Sequence, residues 1–198
     1  QGATEPEFTS EWYKFDTSFY YRLPSIPQRP NPFTEDGMMR TVQSAAKQIL
    51  SKNEFDQGYA LILGSAGGRL AYELARQTEL QVVVVEPDET KAQTARKALA
   101  RAGLYGSRVS VHQGNLDNLP YGPYFANLIT SGSMLTEGNL PGQDATQLMD
   151  LLRPAGGVVM LGDMAGKLSE QSIQDWFRKG GTQCTVSDAN GELWAHVK

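Results

Sequence analysis

The spacing of apolar and polar positions changes period several times along the chain. A helical period begins after Asp36 and runs to about Lys52. Four apolar residues mark the buried face of this predicted helix: Met38, Val42, Ala45 and Ile49. A short apolar run at 59–63 then enters a glycine-rich turn, and helical spacing resumes over 69–77. This order predicts a strand, a tight turn and a helix.

The same order repeats towards the middle of the chain. The β-branched run 81–85 is typical of a strand that is buried on both faces, and Asp88 is a suitable N-cap for a helix that Gly103 ends. Later segments continue the alternation: strands at 109–112, 127–130 and 158–161, and helices over 145–152 and from Ser169. Successive strand–helix units predict a parallel sheet.

The last 17 residues have a different pattern. Two alternating runs, 182–187 and 193–197, are separated by a turn that contains Asn190 and Gly191. Asn-Gly between alternating runs is a strong signal for a β-hairpin. We therefore predict an α/β fold with a doubly wound, mostly parallel seven-stranded sheet and a C-terminal antiparallel hairpin.

The first 35 residues form a separate unit in this prediction, ahead of a domain at 36–198. The segment is rich in aromatic residues, and prolines disfavour a helix from Leu23 onward. The aromatic side chains need an apolar surface to lie against. Two interpretations stay open: a strap that packs on the chain's own domain, or a surface through which residues 1–33 dock onto another domain or subunit.

The composition is that of a soluble globular chain. It has 198 residues, of which 40% are hydrophobic, and this is enough for one continuous core. Glu86 and Pro87 stop the apolar run that precedes them, and no run approaches the roughly 18 apolar residues of a membrane span. The formal net charge is −4, without a cluster of Lys and Arg. No membrane span and no obligate nucleic-acid partner are therefore expected.

Cysteine and histidine are scarce. Cys184 is the one cysteine, and the histidines are His112 and His196. This excludes a disulfide framework, and we expect no metal site. The chain begins at Gln1, so the compartment stays open: cytoplasmic if Gln1 is an internal boundary, extracytoplasmic if it follows signal-peptide cleavage.

A glycine turn and an acidic residue are the strongest chemical signal. The turn at 64–68 leaves the first predicted strand, where glycines let the backbone approach a ligand and the next helix presents free N–H groups. Glu86 ends the second strand, where a carboxylate can accept hydrogen bonds from both hydroxyls of a ribose. The NAD pattern G-x-G-x-x-G would need glycines where Ala66 and Arg69 stand, so NAD is disfavoured.

Four motifs in order resemble those of the class I S-adenosylmethionine-dependent methyltransferases. They are the first glycine motif at 61–70, the acidic motif at 85–88, the adenine-side motif at 113–116 and the turn at 152–157. The resemblance covers roughly residues 38 to 198. It implies a Rossmann-like fold and S-adenosylmethionine as the cofactor.

The resemblance assigns nine residues to the cofactor site: Gly64, Ser65, Ala66, Gly68, Glu86, Pro87, Asn115, Leu116 and Ser131. Glu86 would hold the ribose hydroxyls, while Pro87, Asn115 and Leu116 would bound the adenine. Residues Ser131 to Met134 would form the floor of the cleft beyond the fourth strand. No catalytic base is evident, and proximity suffices where the acceptor is already nucleophilic.

The sequence also departs from the family pattern. Ile62 stands where an acidic residue usually precedes the first glycine, Ala66 replaces the second glycine, and Asn115 replaces an Asp. The family's Pro-Pro-aromatic motif for amino acceptors is absent at 130–133. The leading hypothesis is methyl transfer from S-adenosylmethionine to an unidentified acceptor. The alternative is a non-catalytic scaffold or docking subunit that kept only the fold.

A closer resemblance concerns the segments 103–109 and 123–129. They are similar to the methyltransferase-like domain found in some large bacterial proteins with PQQ-type β-propeller repeats. This resemblance implies a larger parent polypeptide or a partner subunit. Residues 1–33 would then be the candidate contact.

Overall fold

The computed structural model describes residues 29–52, 54, 56–189 and 191–198. Seven strands are present in this part of the chain: β1 (Tyr59–Leu63), β2 (Gln81–Glu86), β3 (Val109–Gln113), β4 (Leu128–Ser131), β5 (Val158–Asp163), β6 (Thr185–Ala189) and β7 (Glu192–Val197). Six α-helices accompany them: α1 (Gly37–Lys52), α2 (Arg69–Gln77), α3 (Glu89–Arg101), α4 (Gly132–Glu137), α5 (Thr146–Leu151) and α6 (Glu170–Lys179).

The strands form one sheet in the order β3-β2-β1-β4-β5-β7-β6. All neighbours from β3 to β5 are parallel, whereas β7 is antiparallel to both β5 and β6. The predicted fold class is therefore confirmed. The reversed strand β7 lies one place in from the edge, and this lets the hairpin complete the sheet without a further crossover.

Helices cover both faces of the sheet. The side chains of Ala60 and Ile62 enter a core cluster with α1, α2 and α3, and the alternate residues Leu61 and Leu63 enter a second cluster with α5 and α6. Because successive side chains of a strand point to opposite faces, an apolar strand such as β1 fills both clusters. The result is a three-layer α/β/α arrangement.

Predicted helix caps are confirmed. Asp88 accepts a hydrogen bond from the Lys91 backbone N–H at 2.9 Å, and Ser169 begins α6 in a capping box with Ser172. The last predicted boundary was less accurate, because β6 starts at Thr185 rather than at 182. The Thr182 N–H donates to the Phe177 carbonyl and so closes the end of α6.

Helix α4 was not predicted. It has six residues, and its two large apolar side chains are divided between the clusters, Leu135 in the first and Met134 in the second. A helix this short shows no clear period in the sequence. It forms because the Ser131 side chain accepts a hydrogen bond from the Met134 N–H, and Gly138 ends it in a left-handed conformation.

The segment before α1 packs on the domain. The ring of Phe33 lies edge-on to Tyr72, and the Arg69 guanidinium lies over Phe33 at 5.3 Å. Asp36 caps α1 through the Met39 N–H and pairs with Arg69 at 3.5 Å. The rest of the predicted arm, residues 1–28, lies outside the described residues, so the division at 35 stays a prediction.

No helix in the described part of the chain has the length and apolarity needed to cross a membrane.

Candidate functional site

The candidate site lies where the chain changes direction in the sheet. From β1 the chain builds outward through β2 and β3, then returns to place β4 on the other side of β1. The loops after β1 and β4 therefore diverge, which opens a crevice at the carboxyl ends of the strands. A cleft of about 280 Å³ lies there. Twelve residues line it: Gly64, Ser65, Ala66, Glu86, Pro87, Asp88, Lys91, Leu116, Ser133, Glu137, Asn139 and Leu140.

The glycine turn forms the floor of the cleft. The Gly64 N–H donates to the Val85 carbonyl at 2.8 Å, and the chain then turns away from the sheet with φ of 76° at Gly64. A Cβ added at Gly64 would lie 2.6 Å from the Cβ of Ser133. Glycine is required there because the turn passes directly against the first residues of α4.

Ala66 adopts an unusual backbone conformation within this turn. Its φ is 45°, in the left-handed region that costs most L-residues about 1–2 kcal/mol. Gly132 makes room for the Ala66 methyl group, since a Cβ added at Gly132 would lie 3.1 Å from it. The same added Cβ would lie 2.5 Å from the Gly64 carbonyl oxygen. The absence of a side chain at Gly132 therefore leaves room for alanine at the position of the second family glycine.

Glu86 joins the second strand to the turn. Its side chain is buried, with 5% of the residue exposed. One carboxylate oxygen accepts the Ser65 N–H at 2.7 Å, and the other accepts the Asp88 N–H at 3.1 Å. A carboxylate offers about four acceptor positions, so each oxygen keeps capacity for a further hydrogen bond. The carboxylate is thus held in a fixed orientation at the edge of the cleft.

Three of the nine predicted residues do not line the cleft. Gly68 packs against α3, where a Cβ would lie 3.3 Å from Leu99. The Ser131 hydroxyl is buried and donates to the Leu63 carbonyl at 2.8 Å. The Asn115 carboxamide oxygen accepts the Asp117 N–H at 2.9 Å, which shapes the loop after β3. These three residues support the walls, and the other six line one cleft.

The structure adds residues that sequence reasoning missed. They are Lys91, Glu137, Asn139 and Leu140, which line the cleft together with Asp88 of the acidic motif and Ser133 of the predicted floor. The ion pair between Lys91 Nζ and Glu137 Oε1, at 2.6 Å, joins the start of α3 to the end of α4. The hydrogen bond that Lys91 donates to the Glu137 carboxylate raises the pKa of Lys91 above its usual value. These two residues are 46 positions apart, so the pairing has no signal in the local sequence.

Each carboxylate that lines the cleft already has a partner. Glu86 accepts two backbone N–H groups, Asp88 caps α3, and Glu137 pairs with Lys91. The Ser133 hydroxyl lies 3.2 Å from Ser131 Oγ. Among the described residues that line the cleft, no carboxylate is left without a hydrogen bond or an ion pair. The geometry is suited to binding and orientation more than to proton abstraction.

The cleft fits the adenosine half of S-adenosylmethionine better than the methionine half. Glu86 offers acceptor positions for a ribose diol, and Pro87 and Leu116 offer apolar surface for a flat ring. The Ser65 hydroxyl is buried without a hydrogen-bond partner among the described residues, so a polar group could still satisfy it. Ile62, in contrast, is fully buried in the core with α1 and α2 and offers no carboxylate.

A second cleft lies at the other end of the sheet. It also has a volume of about 280 Å³, and Gln174, Arg178, Thr182, Gln183 and Cys184 line it. Burial raises the pKa of the Cys184 thiol, which lowers the thiolate fraction. None of the described residues that line this second cleft is acidic. The cleft at the glycine turn is the stronger candidate.

Comparison with known proteins agrees with this location. Residues 60–156 match a family model described as a methyltransferase domain. This range contains both the glycine turn and Glu86. No curated protein sequence matches the chain.

Solved structures with the same fold share little sequence with the chain. A candidate S-adenosylmethionine-dependent methyltransferase from Methanococcus maripaludis is 18% identical, with a TM-score of 0.66 over 82% of this chain and 87% of that one. A SAM-dependent methyltransferase from Aquifex aeolicus is 12% identical, with a TM-score of 0.64 over 83% and 95%. A complex of the Haloferax volcanii Trm112 methyltransferase activator with a candidate methyltransferase is also similar. The match is 14% identical, with a TM-score of 0.57 over 81% of this chain and 90% of that one. The chain therefore has the class I methyltransferase fold, and residues 60–156 are similar to a methyltransferase domain.

Proposed function

We propose that this methyltransferase domain binds S-adenosylmethionine in the cleft above Gly64 and transfers its methyl group to an acceptor that enters beside α4. The observation that carries the proposal is Glu86, a buried carboxylate oriented by two backbone N–H groups at the edge of a glycine turn. Glu86 lies next to the point where the strand order of the sheet reverses. Ligands of open α/β folds bind at this point.

The residues of the cleft have separate roles in this proposal. Glu86 accepts hydrogen bonds from the ribose, and Pro87 and Leu116 flank the adenine. The turn at 64–66 supports the part of the cofactor that carries the methyl group. When bound, S-adenosylmethionine supplies a methyl group that is already activated for transfer. The protein's contribution is then to bind both reactants and to orient them.

The acceptor in this proposal is a group that is nucleophilic without a strong base. The carboxylates of the cleft are engaged in hydrogen bonds or an ion pair, so none is held ready to take a proton. The chain also lacks the Pro-Pro-aromatic motif at 130–133 that accompanies amino acceptors on bases or glutamine. We infer an acceptor that reacts through alignment in the cleft.

Calorimetric titration with S-adenosylmethionine and S-adenosylhomocysteine tests the binding step. We expect Glu86→Gln to weaken binding about 10- to 100-fold, because a hydrogen bond to a charged group contributes roughly 1.5–3 kcal/mol. Glu73→Gln is the matched control, since Glu73 is equally buried but lies on α2 outside the cleft. A folded Glu86→Gln protein with unchanged affinity would contradict the ribose role.

The second candidate function, a scaffold without the cofactor, is supported by two residues. Ile62 supplies no carboxylate at the methionine end, and Ala66 retains a strained conformation where glycine would be relaxed. In that case wild-type protein would show no heat of binding at millimolar ligand. The affinity of the wild-type chain therefore separates the two functions before any variant is made.

The scaffold function would need a partner, and residues 1–33 remain the candidate contact. A larger parent polypeptide, such as the proteins with PQQ-type β-propeller repeats, is one source of that partner. Because Phe33 packs on Tyr72, deletion should stop at residue 28 so that the domain keeps this contact. We propose that the shortened chain stays folded and loses association.

A further inference from the structure

One ion pair crosses the cleft between its two walls. Lys91 lies in the first turn of α3 and Glu137 at the end of α4, and their charged groups are 2.6 Å apart. One wall belongs to the β2 side of the sheet and the other to the β4 side. Both side chains also line the cleft. The pair is therefore a bridge over the space proposed for the cofactor.

The bridge lies at the mouth of the cleft. The Lys91 and Glu137 side chains are 50% and 40% exposed, whereas Ser65 and Glu86 below them are buried. Glu86 therefore lies deeper in the cleft than the ion pair. With the pair formed, the cleft has a volume of about 280 Å³, at the lower end of the roughly 300–1,000 Å³ of ligand pockets.

The two partners differ in how firmly they are held. The second oxygen of Glu137 accepts the Asn139 side-chain amide at 3.1 Å, and Gly138 behind it packs against Lys167. Glu137 is therefore supported from two sides. Lys91 reaches across with a flexible stem, and the acidic groups that act on it are Glu137, Glu86 and Asp88. Movement of Lys91 alone is enough to open the bridge.

We propose that the Lys91–Glu137 pair is a gate that opens to admit the cofactor and closes again over it. This inference rests on the proposed function. An exposed ion pair favours its closed geometry by a factor of roughly 1.4 to 5. The association rate is then proportional to the fraction of molecules in which this ion pair is open. Because the pair re-forms over the ligand, it slows release by a similar factor and changes the equilibrium affinity little.

Stopped-flow binding of S-adenosylhomocysteine to the full chain tests the gate. We expect Lys91→Met and Glu137→Gln each to raise both the association and the dissociation rate about two- to sixfold, with Kd changed less than twofold. The double variant Lys91→Glu/Glu137→Lys should return both rates towards wild type. Arg178→Met is the control, because it breaks a similarly exposed pair with Asp175 on α6, away from the cleft.

Salt supplies a second measurement on the same proteins. Raising the ionic strength to about 0.5 M screens exposed charges, so both wild-type rates should rise while those of Lys91→Met stay nearly constant. Unchanged rates in both single variants would overturn the gate. A rise in the association rate alone would also overturn it, because the pair would then not close over the ligand. A wild-type chain that binds no ligand would instead contradict the proposed function.

Discussion

Strands β2 and β5 both end in a buried acidic residue, Glu86 and Asp163. Comparing the two shows how an acid that stabilises a loop differs from one proposed to bind a ligand. Glu86 is 5% exposed and Asp163 is 0% exposed. Each carboxylate orders the loop that follows its strand by accepting backbone N–H groups. Sequence position alone makes the two residues equivalent, since both lie at a carboxyl end of a parallel strand.

The number of partners and the neighbouring strand distinguish them. Asp163 accepts three N–H groups, from Ala165, Lys167 and Leu168, at 3.0, 2.8 and 2.6 Å. Strand β5 is separated from β1 by β4, whereas β2 is directly beside β1. Glu86 therefore borders the crevice where the strand order reverses, and Asp163 serves only its own loop.

Replacing Asp163 should produce the largest effect on stability. We expect Asp163→Ala to lower the free energy of unfolding by about 3–5 kcal/mol, because three backbone N–H groups lose a buried, charged acceptor. Asp163→Asn should cost less, since its amide oxygen still accepts. Urea denaturation measures both values. The affinity of the folded variant for the ligand should not change. A loss of affinity would show that Asp163, like Glu86, contributes to ligand binding.

Gly132→Ala tests how closely the turn and α4 must approach. The added methyl group would lie 2.5 Å from the Gly64 carbonyl oxygen, so one of the two segments has to shift. We expect a loss of about 2 kcal/mol in the free energy of unfolding, within the usual range for overpacking, and weaker ligand binding. Gly122→Ala is the control, because nothing lies within 4 Å of its added Cβ. Equal stability of the two variants would show that the turn is free to move.

Ala66→Gly gives the smallest expected effect and the sharpest comparison. Relief of the left-handed conformation outweighs the greater freedom of glycine in the unfolded chain, so we expect about 0.5–1 kcal/mol of added stability. Ala155→Gly is the matched control, since Ala155 has φ of 59° in the turn before β5. Thermal unfolding should show a gain for both variants. Only Ala66→Gly should also change cofactor affinity, and an equal affinity change in Ala155→Gly would remove the distinction between the two turns.

The periods of the sequence were enough to predict the sheet but not α4. Strands such as 81–85 and the Asn-Gly hairpin are local patterns of burial and turn chemistry, so they can be recognised one segment at a time. Helix α4 depends on the Ser131 cap and on contacts with both core clusters. Such contacts exist only after the strands have paired.

The residues assigned to the candidate site likewise fall into those that the sequence placed correctly in the cleft and those that it did not. Six residues of the glycine and acidic motifs and the loop after β3 do line the cleft, because each motif follows a strand whose carboxyl end is set by the sheet. Asn115, Gly68 and Ser131 were assigned to the site from the same motifs, yet they form hydrogen bonds or packing contacts within the walls. A motif specifies the backbone path better than the direction of each side chain.

By itself, the sequence determined the succession of the strands and of the helices other than α4, the glycine turn and the acid that ends the second strand. Those features depend on local burial, caps and backbone freedom. Only the tertiary structure decided that the Ser65 amide holds Glu86 and that Lys91 meets Glu137 across the cleft. The physical reason is that these contacts join segments far apart in the chain, which the parallel sheet brings to one edge.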